Sequence, residues 1–482
     1  MNTAVSREEI VDGLRQIVGA ERVVTDEEVL RRSSVDNFRK LESIFGVYTR
    51  PLPAAVVLAH STQEVAEVLA YAERNGVNVV PRTGGTATEG GLETAVADSI
   101  VLDGSAMNEI LSIDPYNMQA VCQCGVPLQE LEDRARAQGL TTGHSPQSKP
   151  VAHMGGLVAT RSIGQFSTLY GGIEDMVVGV EAVFPGGRVT RIKNVPRRAA
   201  GPDIRHVVIG NEGALCFITE VTVKLFPYFP DSNVFLGWRL KSMKRGFEVL
   251  REVMVNGFRP SVARLYDPPD AALHFSHFAE PDDCVLLFMA EGAPGIAKAT
   301  ADGIEAVGAR HSELERVDGD LIAAWFGDLV WGPDKIAEEN ERIRRTRNVN
   351  RTTEVSADWS SINDIYESAL QRILREIPDL TMVGGHSSHS YVNGTNMYFN
   401  YFYDVVDCEP EDEVVKYYLP IIGIICEETL RRGGSIVHHH GIGKARTPWV
   451  AEEYGSSYYI LETLKRAFDP HGIMNRGTII PG

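Results

Sequence analysis

Short apolar runs alternate with an amphipathic stretch in the first part of the chain. Residues 55–59 form a continuous apolar run, and apolar residues then recur at three- and four-residue spacing over 65–72. Ser61 and Glu64 have the spacing of a capping box at the start of this predicted helix. Residues 77–80 form the next apolar run. The pattern predicts a β-α-β unit that begins an α+β domain.

The pattern changes several times further along the chain. Residues 6–45 are charged and helical in character, whereas short strand-like pieces dominate 100–225, with a hairpin turn predicted at 185–187. Beyond about residue 228, strands and helices alternate in a way that predicts a separate α/β domain with an antiparallel sheet. The predicted division is an N-terminal helical arm (1–49), a first domain (50–228), a second domain (229–430) and a C-terminal segment (431–482).

Composition and charge exclude several classes of protein. The chain has 482 residues and a formal net charge of −18, which argues against nucleic-acid and anionic-membrane partners. No apolar run approaches the roughly 20 residues that span a bilayer. The six cysteines are scattered without metal-site spacing. We therefore expect a soluble, cytoplasmic protein whose thiols stay reduced.

Three consecutive histidines stand out near the C-terminus. His438, His439 and His440 follow an apolar, strand-like start and precede Gly441 and Gly443. Side chains on a strand alternate between faces, so at most two of the three are expected to share one pocket. Titratable imidazoles beside glycines favour a base, an acid or an anion-binding group that approaches a ligand closely. A chance surface run is the alternative.

A glycine-rich loop follows the strand at 77–80. Residues 81–91 combine glycines, which let backbone amides converge on an anion, with threonine hydroxyls. The loop matches neither a Walker A motif nor a Rossmann turn, and a mobile glycine-rich turn is the alternative. Three further small-residue segments, at 144–148, 154–162 and 210–219, could line a cleft for an elongated phosphorylated cofactor together with this loop.

These four segments, in this order, resemble the FAD-binding domain of the vanillyl-alcohol oxidase superfamily, also called the PCMH-type fold. The segments 201–206, 388–391 and 438–444 resemble the alkylglycerone-phosphate synthase branch. The chain is similar nearly end to end to a group of uncharacterised bacterial FAD-linked oxidoreductases. The resemblance implies an α+β architecture: a PCMH-type domain of two α/β subdomains, an α/β cap domain with an antiparallel sheet, and a C-terminal tail that returns to the FAD domain.

The resemblance also implies non-covalent FAD as the cofactor, because Thr86 stands where covalent members of the superfamily carry the histidine that is linked to the flavin. The pyrophosphate would be held by Arg82, Thr83, Gly84, Gly85, Thr86, Ala87 and Thr88. The ribityl and isoalloxazine groups would contact Gln147, Ser148, His153, Gly156, Thr160, Arg161 and Ser162. Further contacts would come from Glu212, Gly213, Ala214, Phe217 and Ile218.

The synthase-like resemblance implies a catalytic role for Tyr391, with His438, His439 and His440 lining the substrate pocket as acid–base groups. Candidate substrate-binding residues are Arg264, His386, His389 and Lys444. A structural aromatic is the alternative for Tyr391, a surface salt bridge for Arg264, and a solvated charge for Lys444. The related D-2-hydroxy-acid dehydrogenases carry a metal-binding glutamate where this chain has His439. A metal is therefore not predicted here, and a metal site held by histidines, which also bind zinc, is the alternative.

The predicted activity is transfer of a hydride to flavin N5 from the hydroxyl-bearing carbon of a 2-hydroxy acid, sugar acid or polyol. The expected partners are that small substrate and an unidentified electron acceptor, with a homodimer as one possible assembly. The alternative is a synthase-like transferase that uses a flavin N5 adduct. Against this alternative, the arginine that grips substrate phosphate in the synthases aligns with Glu367, where a carboxylate would repel a phosphate.

Overall fold

The computed structural model describes residues 5–327, 329 and 332–482. Its first sheet has the order β1-β2-β4-β3, in which β2, β4 and β3 run parallel and β1 pairs antiparallel with β2. The strands are β1 (Val23–Val24), β2 (Ala55–Leu58), β3 (Val79–Arg82) and β4 (Ile100–Asp103), and the helices are α1 (Arg7–Val18), α2 (Glu27–Ser33), α3 (Lys40–Phe45) and α4 (Thr62–Asn75).

The predicted β-α-β unit is present as β2, α4 and β3. Ser61 caps α4 by accepting a hydrogen bond from the backbone N–H of Glu64, at 3.2 Å. The Glu64 carboxylate accepts from the backbone N–H of His60 (2.8 Å) and from Arg22 (2.7 Å). Only half of the predicted capping box therefore forms, because a neighbouring amide and a cation attract the carboxylate.

A second sheet follows, with antiparallel pairs in the order β5-β6-β10-β8-β9, beside a small pair formed by β7 and β11. The predicted turn at 185–187 joins β8 to β9, and Gly186 and Gly187 both adopt φ of +75° there. The strands are β5 (Ile110–Asp114), β6 (Gln119–Gln123), β7 (Leu140–Thr141), β8 (Val177–Phe184), β9 (Arg188–Ile192), β10 (Phe217–Lys224) and β11 (Phe226–Pro227). The helices are α5 (Leu128–Arg136), α6 (Met154–Ala159), α7 (Ser167–Tyr170), α8 (Ile173–Met176) and α9 (Arg205–Val208).

A third sheet of seven strands has the order β15-β12-β14-β13-β17-β18-β16 and pairs antiparallel throughout, as the sequence predicts. Its strands are β12 (Val234–Leu240), β13 (Val262–Tyr266), β14 (Cys284–Ala290), β15 (Glu315–Val317), β16 (Asn348–Asp358), β17 (Leu380–Ser387) and β18 (Gly394–Asp404). The helices are α10 (Met243–Val255), α11 (Pro268–Phe275), α12 (Pro294–Gly308), α13 (Gly319–Gly327), α14 (Pro333–Thr346), α15 (Ile362–Glu376) and α16 (Leu419–Arg431).

The two ends of the chain tie the sheets together. The first 49 residues, expected to be a helical arm, supply β1 to the first sheet, and Phe38 and Leu41 enter the core of the third. After α17 (Val450–Tyr454) and α18 (Tyr458–Phe468), the tail returns to the first sheet, where Asn475 donates from its backbone N–H to Val79 O at 2.8 Å. Within the described residues, no helix combines the length and apolar character needed to cross a membrane.

Candidate active site

The predicted pyrophosphate loop leaves β3 at Arg82 as irregular, half-buried backbone. Among the described residues, no protein group accepts a hydrogen bond from the backbone N–H groups of 83–88. A Cβ on Gly84 would lie 2.6 Å from Val151 O and 2.9 Å from His153 N, so only glycine allows the loop to approach 151–153 this closely. Backbone amides that lack a protein partner can bind an anion such as a phosphate.

The next predicted segment runs from the turn at Gln147 and Ser148 into α6. His153 is the residue before α6, and its Nδ1 is buried without a partner in the described part of the chain. Thr160 ends α6, where its hydroxyl donates to Gly156 O at 3.0 Å.

The following two residues lie in a tight turn. Arg161 takes a φ of +52° and pairs with Glu174 at 3.2 Å. Ser162 Oγ lies 3.2 Å from His144 Nε2. Burial lowers the pKa of His144 to about 4, so this ring is neutral near pH 7.

The residues of the segment 212–218 have two different environments. Glu212, with φ of +47°, accepts hydrogen bonds from the backbone N–H groups of Ile442 (2.8 Å) and Gly443 (2.7 Å). Gly213 beside it takes a φ of +74°. Glu212 thereby fixes the chain that follows the three histidines. In contrast, the side chains of Ala214, Phe217 and Ile218 are buried in three different hydrophobic cores.

The three histidines lie in a bend, and the prediction that at most two of them share a pocket is wrong. Adjacent ring centroids are 5.0 Å apart for His438 and His439, and 4.7 Å apart for His439 and His440. The buried Glu354 carboxylate on β16 accepts from the backbone N–H groups of His438 (2.5 Å) and His440 (2.7 Å). This carboxylate bends the backbone so that strand alternation does not apply.

A continuous chain of hydrogen bonds connects Tyr391 to all three histidines. Tyr391 Oη lies 2.7 Å from His438 Nε2, and His438 Nδ1 lies 2.8 Å from His439 Nδ1. His439 Nε2 is then 2.8 Å from Tyr398 Oη, which is 3.0 Å from His440 Nε2. The structure therefore brings the four predicted catalytic residues together, and Tyr398 connects them.

Burial keeps this chain uncharged near pH 7. Burial lowers the pKa of His438 to about 4 and of His440 to about 3, and that of His439 well below its usual value. Burial also raises the pKa of Tyr391 and Tyr398 above the ordinary value for tyrosine. Neutral imidazoles and phenols each carry one donor and one acceptor, which is the composition that a proton relay needs.

A second polar row lies on the third sheet. His386 stacks between Tyr266, at 4.7 Å, and Tyr398, at 4.9 Å between ring centroids. Its Nδ1 lies 2.6 Å from the Asp270 carboxylate, while its Nε2 has no hydrogen-bond partner among the described residues. Arg264 on β13 is 4% exposed, and its Nε has no partner in the described part of the chain. Arg264 Nη1 donates to the Tyr266 hydroxyl at 2.5 Å. The row therefore contains a buried guanidinium without a carboxylate partner among the described residues, and an imidazole Nε2 that can accept a hydrogen bond while Nδ1–H donates to Asp270.

The two remaining predicted substrate-binding residues, Lys444 and His389, also have protein partners. Lys444 Nζ donates to four oxygens of the glycine loop and the C-terminal tail, those of Gly90, Gly91, Asn475 and Thr478. This side chain joins the tail to the loop. His389 Nδ1 lies 2.7 Å from Ser167 Oγ, and its ring stacks on His438 at 5.1 Å. His389 thus packs against the ring of His438 and is itself held by Ser167.

The ring nitrogens of His389, His438 and His439 lie within 4.8 Å of one another. The Nδ1 atoms of His438 and His439 are at hydrogen-bond distance from each other, and burial lowers the pKa of both rings. His438 and His439 are therefore hydrogen-bonded to each other, and His389 stacks on His438. Glu367, at the position aligned with the synthase arginine, is an exposed residue of α15 that accepts from Asn363 at 3.0 Å.

Sequence reasoning did not identify four residues of this site, Glu354, Asp270, Tyr398 and Ser167. Tyr398 belongs to an aromatic stretch on β18 in which buried and less buried residues alternate. This alternation was the signal in the sequence that could have placed Tyr398 on the face opposite the core. Glu354 and Asp270 carry no local signal, since each meets its histidine across a long sequence separation.

Comparison with known proteins identifies the cofactor. Residues 53–193 match the FAD binding domain, and residues 229–479 match the C-terminal domain of FAD-linked oxidases. The chain belongs to the FAD-linked oxidase family. The chain is 62% identical to the uncharacterized FAD-linked oxidoreductase YgcU of Escherichia coli strain K12, over 99% of both chains.

More distant relatives of this chain carry names that indicate different activities. Alkyldihydroxyacetonephosphate synthase of Dictyostelium discoideum is 26% identical over 89% of this chain and 73% of that protein. The mitochondrial D-lactate dehydrogenase [cytochrome] 1 of Saccharomyces cerevisiae is 24% identical over 88% of this chain and 72% of that protein. The solved p-cresol methylhydroxylase has a TM-score of 0.78 at 16% identity, covering 98% and 97% of the two chains. The predicted PCMH-type fold, the FAD cofactor and the oxidoreductase class are confirmed.

The residues of this chain fit FAD. The amides of 83–88 have no protein partner in the described part of the chain, and the glycine at 84 admits the close approach that forms their cradle. The buried, unpartnered Nδ1 of His153 lies beside the same loop.

Proposed function

We propose that this FAD-linked oxidoreductase oxidises a hydroxyl-bearing carbon of a small anionic substrate, with a 2-hydroxy acid or sugar acid as the preferred class and a polyol as a weaker one. FAD, when bound, supplies the hydride acceptor for this oxidation. Non-covalent binding is part of the proposal, because Thr86 stands where covalent members carry their histidine. The protein must hold the substrate, take the hydroxyl proton and keep water away.

The observation that carries the proposal is the contact between Tyr391 Oη and His438 Nε2, at 2.7 Å. Burial raises the pKa of Tyr391, so little phenolate is present near neutral pH to act as a base. Here Tyr391 can pass its own proton to the imidazole as it accepts one from the substrate, so no phenolate has to form. Tyr391 is therefore assigned as the group that contacts the substrate hydroxyl, and His438 as its proton acceptor.

The buried charge of Arg264 on the third sheet supports an anionic substrate. Arg264 is a buried cation that forms no ion pair with a carboxylate among the described residues. A buried cation without a counter-ion is costly, and a carboxylate ligand would offset that cost. Tyr266 accepts a hydrogen bond from Arg264 Nη1 at 2.5 Å and stacks on His386, which Asp270 orients. A carboxylate bound to Arg264 would therefore lie near His386, whose Nε2 can accept a hydrogen bond from a substrate hydroxyl while its Nδ1–H donates to Asp270.

The test is anaerobic flavin reduction with D-lactate, D-gluconate and glycerol as representatives of the three classes. We expect the two acids to bleach the flavin absorbance faster than glycerol does. The Tyr391→Phe variant should retain its flavin spectrum and lose about 10²- to 10⁴-fold in reduction rate, which is the range for one general acid–base group. A rate within twofold of wild type would remove the role given to Tyr391.

Synthase-like chemistry is the second candidate, favoured by the similarity to alkyldihydroxyacetonephosphate synthase along most of the chain. Bleaching by an acyl dihydroxyacetone phosphate, with no response to hydroxy acids, sugar acids or polyols, would support it over the oxidation. The finer predictions of a cytoplasmic location, a homodimer and an electron acceptor are open to direct measurement by fractionation, light scattering and an acceptor screen.

A further inference from the structure

The hydrogen bonds between Tyr391 and His440 share one consistent donor direction, assigned from the contacts. When Tyr391 donates to His438 Nε2, His438 carries its hydrogen on Nδ1 and donates to His439 Nδ1. His439 then donates from Nε2 to Tyr398, and Tyr398 donates to His440 Nε2. The reverse direction satisfies every contact equally well. The chain thus has two states that differ by the passage of one proton along its length.

The far end of the chain faces two buried carboxylates. His440 Nδ1 lies 3.4 Å from Glu354 Oε1 and 3.7 Å from Glu89 Oε1, and it has no hydrogen-bond partner among the described residues. Within the described residues, the one other ion-pair partner of either carboxylate is Arg446, which is fully buried. Two carboxylates therefore share one guanidinium away from water, and the surplus negative charge favours uptake of one proton.

The pKa shifts of these carboxylates and imidazoles agree with this geometry. Burial raises the pKa of Glu89, whereas for Glu354 burial is outweighed by Arg446 and the neighbouring histidines, and its pKa is lowered. The buried imidazoles of His438 and His440 disfavour their charged forms. A proton that enters the chain near neutral pH consequently does not rest on a ring, and Glu89 is the group best able to keep it.

We infer that the chain Tyr391–His438–His439–Tyr398–His440 conducts the substrate's hydroxyl proton to the Glu89–Glu354 carboxylate pair, which holds it during turnover. The inference rests on the proposed function. The substrate carbon gives up its hydrogen and two electrons as hydride to bound FAD, and its C–O bond becomes a carbonyl. The hydroxyl proton passes to Tyr391, each member of the chain accepts one proton and releases another, and one carboxylate ends protonated.

The Tyr398→Phe variant breaks the chain in its middle and leaves the Tyr391–His438 contact in place. Tyr401→Phe is the matched control. Tyr401 is a buried tyrosine of the same strand, and its hydroxyl contacts Thr353, which takes no part in the hydrogen bonds between Tyr391 and His440. The holoenzymes are compared by anaerobic stopped flow, using the member of the D-lactate, D-gluconate and glycerol panel that reduces wild type fastest. We expect Tyr398→Phe to reduce at least about tenfold more slowly, with its substrate Kd unchanged and Tyr401→Phe equal to wild type.

Solvent deuterium provides a readout that a purely structural role would not change. Wild type should show a curved dependence of rate on the deuterium fraction, since several protons move together, and Tyr398→Phe should show a straight one. Glu89→Gln, which keeps size while removing the proton acceptor, should be slowed like Tyr398→Phe.

Two outcomes distinguish a failure of this inference from a failure of the proposed function. Reduction of Tyr398→Phe and Glu89→Gln within twofold of wild type, with an unchanged isotope effect, would overturn the inference and leave the proposed function intact. No reduction of wild type by any member of the panel would overturn both.

Discussion

The loop after β3 can be tested through Gly84, whose replacement by alanine has a cost that follows from the structure. The added Cβ would lie 2.6 Å from Val151 O, whereas ordinary contact needs at least 3.4 Å, so the loop must move by about 0.8 Å. The three atoms nearest to the added Cβ all belong to the backbone of 151–153, which cannot rotate away. A shift of that size removes at least one amide from hydrogen-bond distance of a phosphate oxygen.

A hydrogen bond to a charged group contributes about 1.5–3 kcal/mol, so we expect the Kd for FAD to rise about 10- to 150-fold in Gly84→Ala. The assay is titration of apoprotein with FAD, followed by quenching of flavin fluorescence. Gly91→Ala is the matched control from the same segment, since its added Cβ would meet nothing closer than 3.8 Å. A Gly84→Ala protein that folds and binds FAD within twofold of wild type would refute the placement of the pyrophosphate on this loop.

Two further predictions concern stability. Arg446→Met should lower the free energy of unfolding by about 3–5 kcal/mol, because it leaves Glu89 and Glu354 buried without their guanidinium. Urea denaturation measures this. Arg431→Met removes an exposed arginine whose buried partner Glu428 also pairs with Arg372 and Arg432, so it should cost at most about 1 kcal/mol; equal losses would contradict the reasoning. The second prediction concerns pH. Burial lowers the pKa of His438 from 6.5 to about 4, so between these pH values the unfolded chain binds a proton that the folded protein does not bind. Stability should therefore fall as the pH drops from 6.5 to 4, and His438→Gln should flatten that part of the curve; an unchanged slope would argue against a neutral buried ring.

The sequence by itself determined the local structure with a short-range physical cause. The β-α-β unit follows from hydrophobic periodicity and from the capping hydroxyl of Ser61, and the turn at 185–187 follows from two glycines that adopt positive φ. The glycine loop and the motif around Tyr391 were likewise recognisable, because their residues are contiguous along the chain. The family resemblance added the FAD cofactor to this local reading.

The arrangement of the site depended on contacts between distant segments. Strand alternation failed at His438–His440 because the Glu354 carboxylate, 84 residues earlier, bends their backbone. Asp270 meets His386 across 116 residues, and Lys444 turns to the C-terminal tail instead of the substrate pocket. Periodicity reports which face of an element is apolar, but it does not report which buried charges meet. Only the tertiary structure decided that three adjacent imidazoles lie in one neutral, hydrogen-bonded chain, since desolvation and partner geometry arise when the sheets pack.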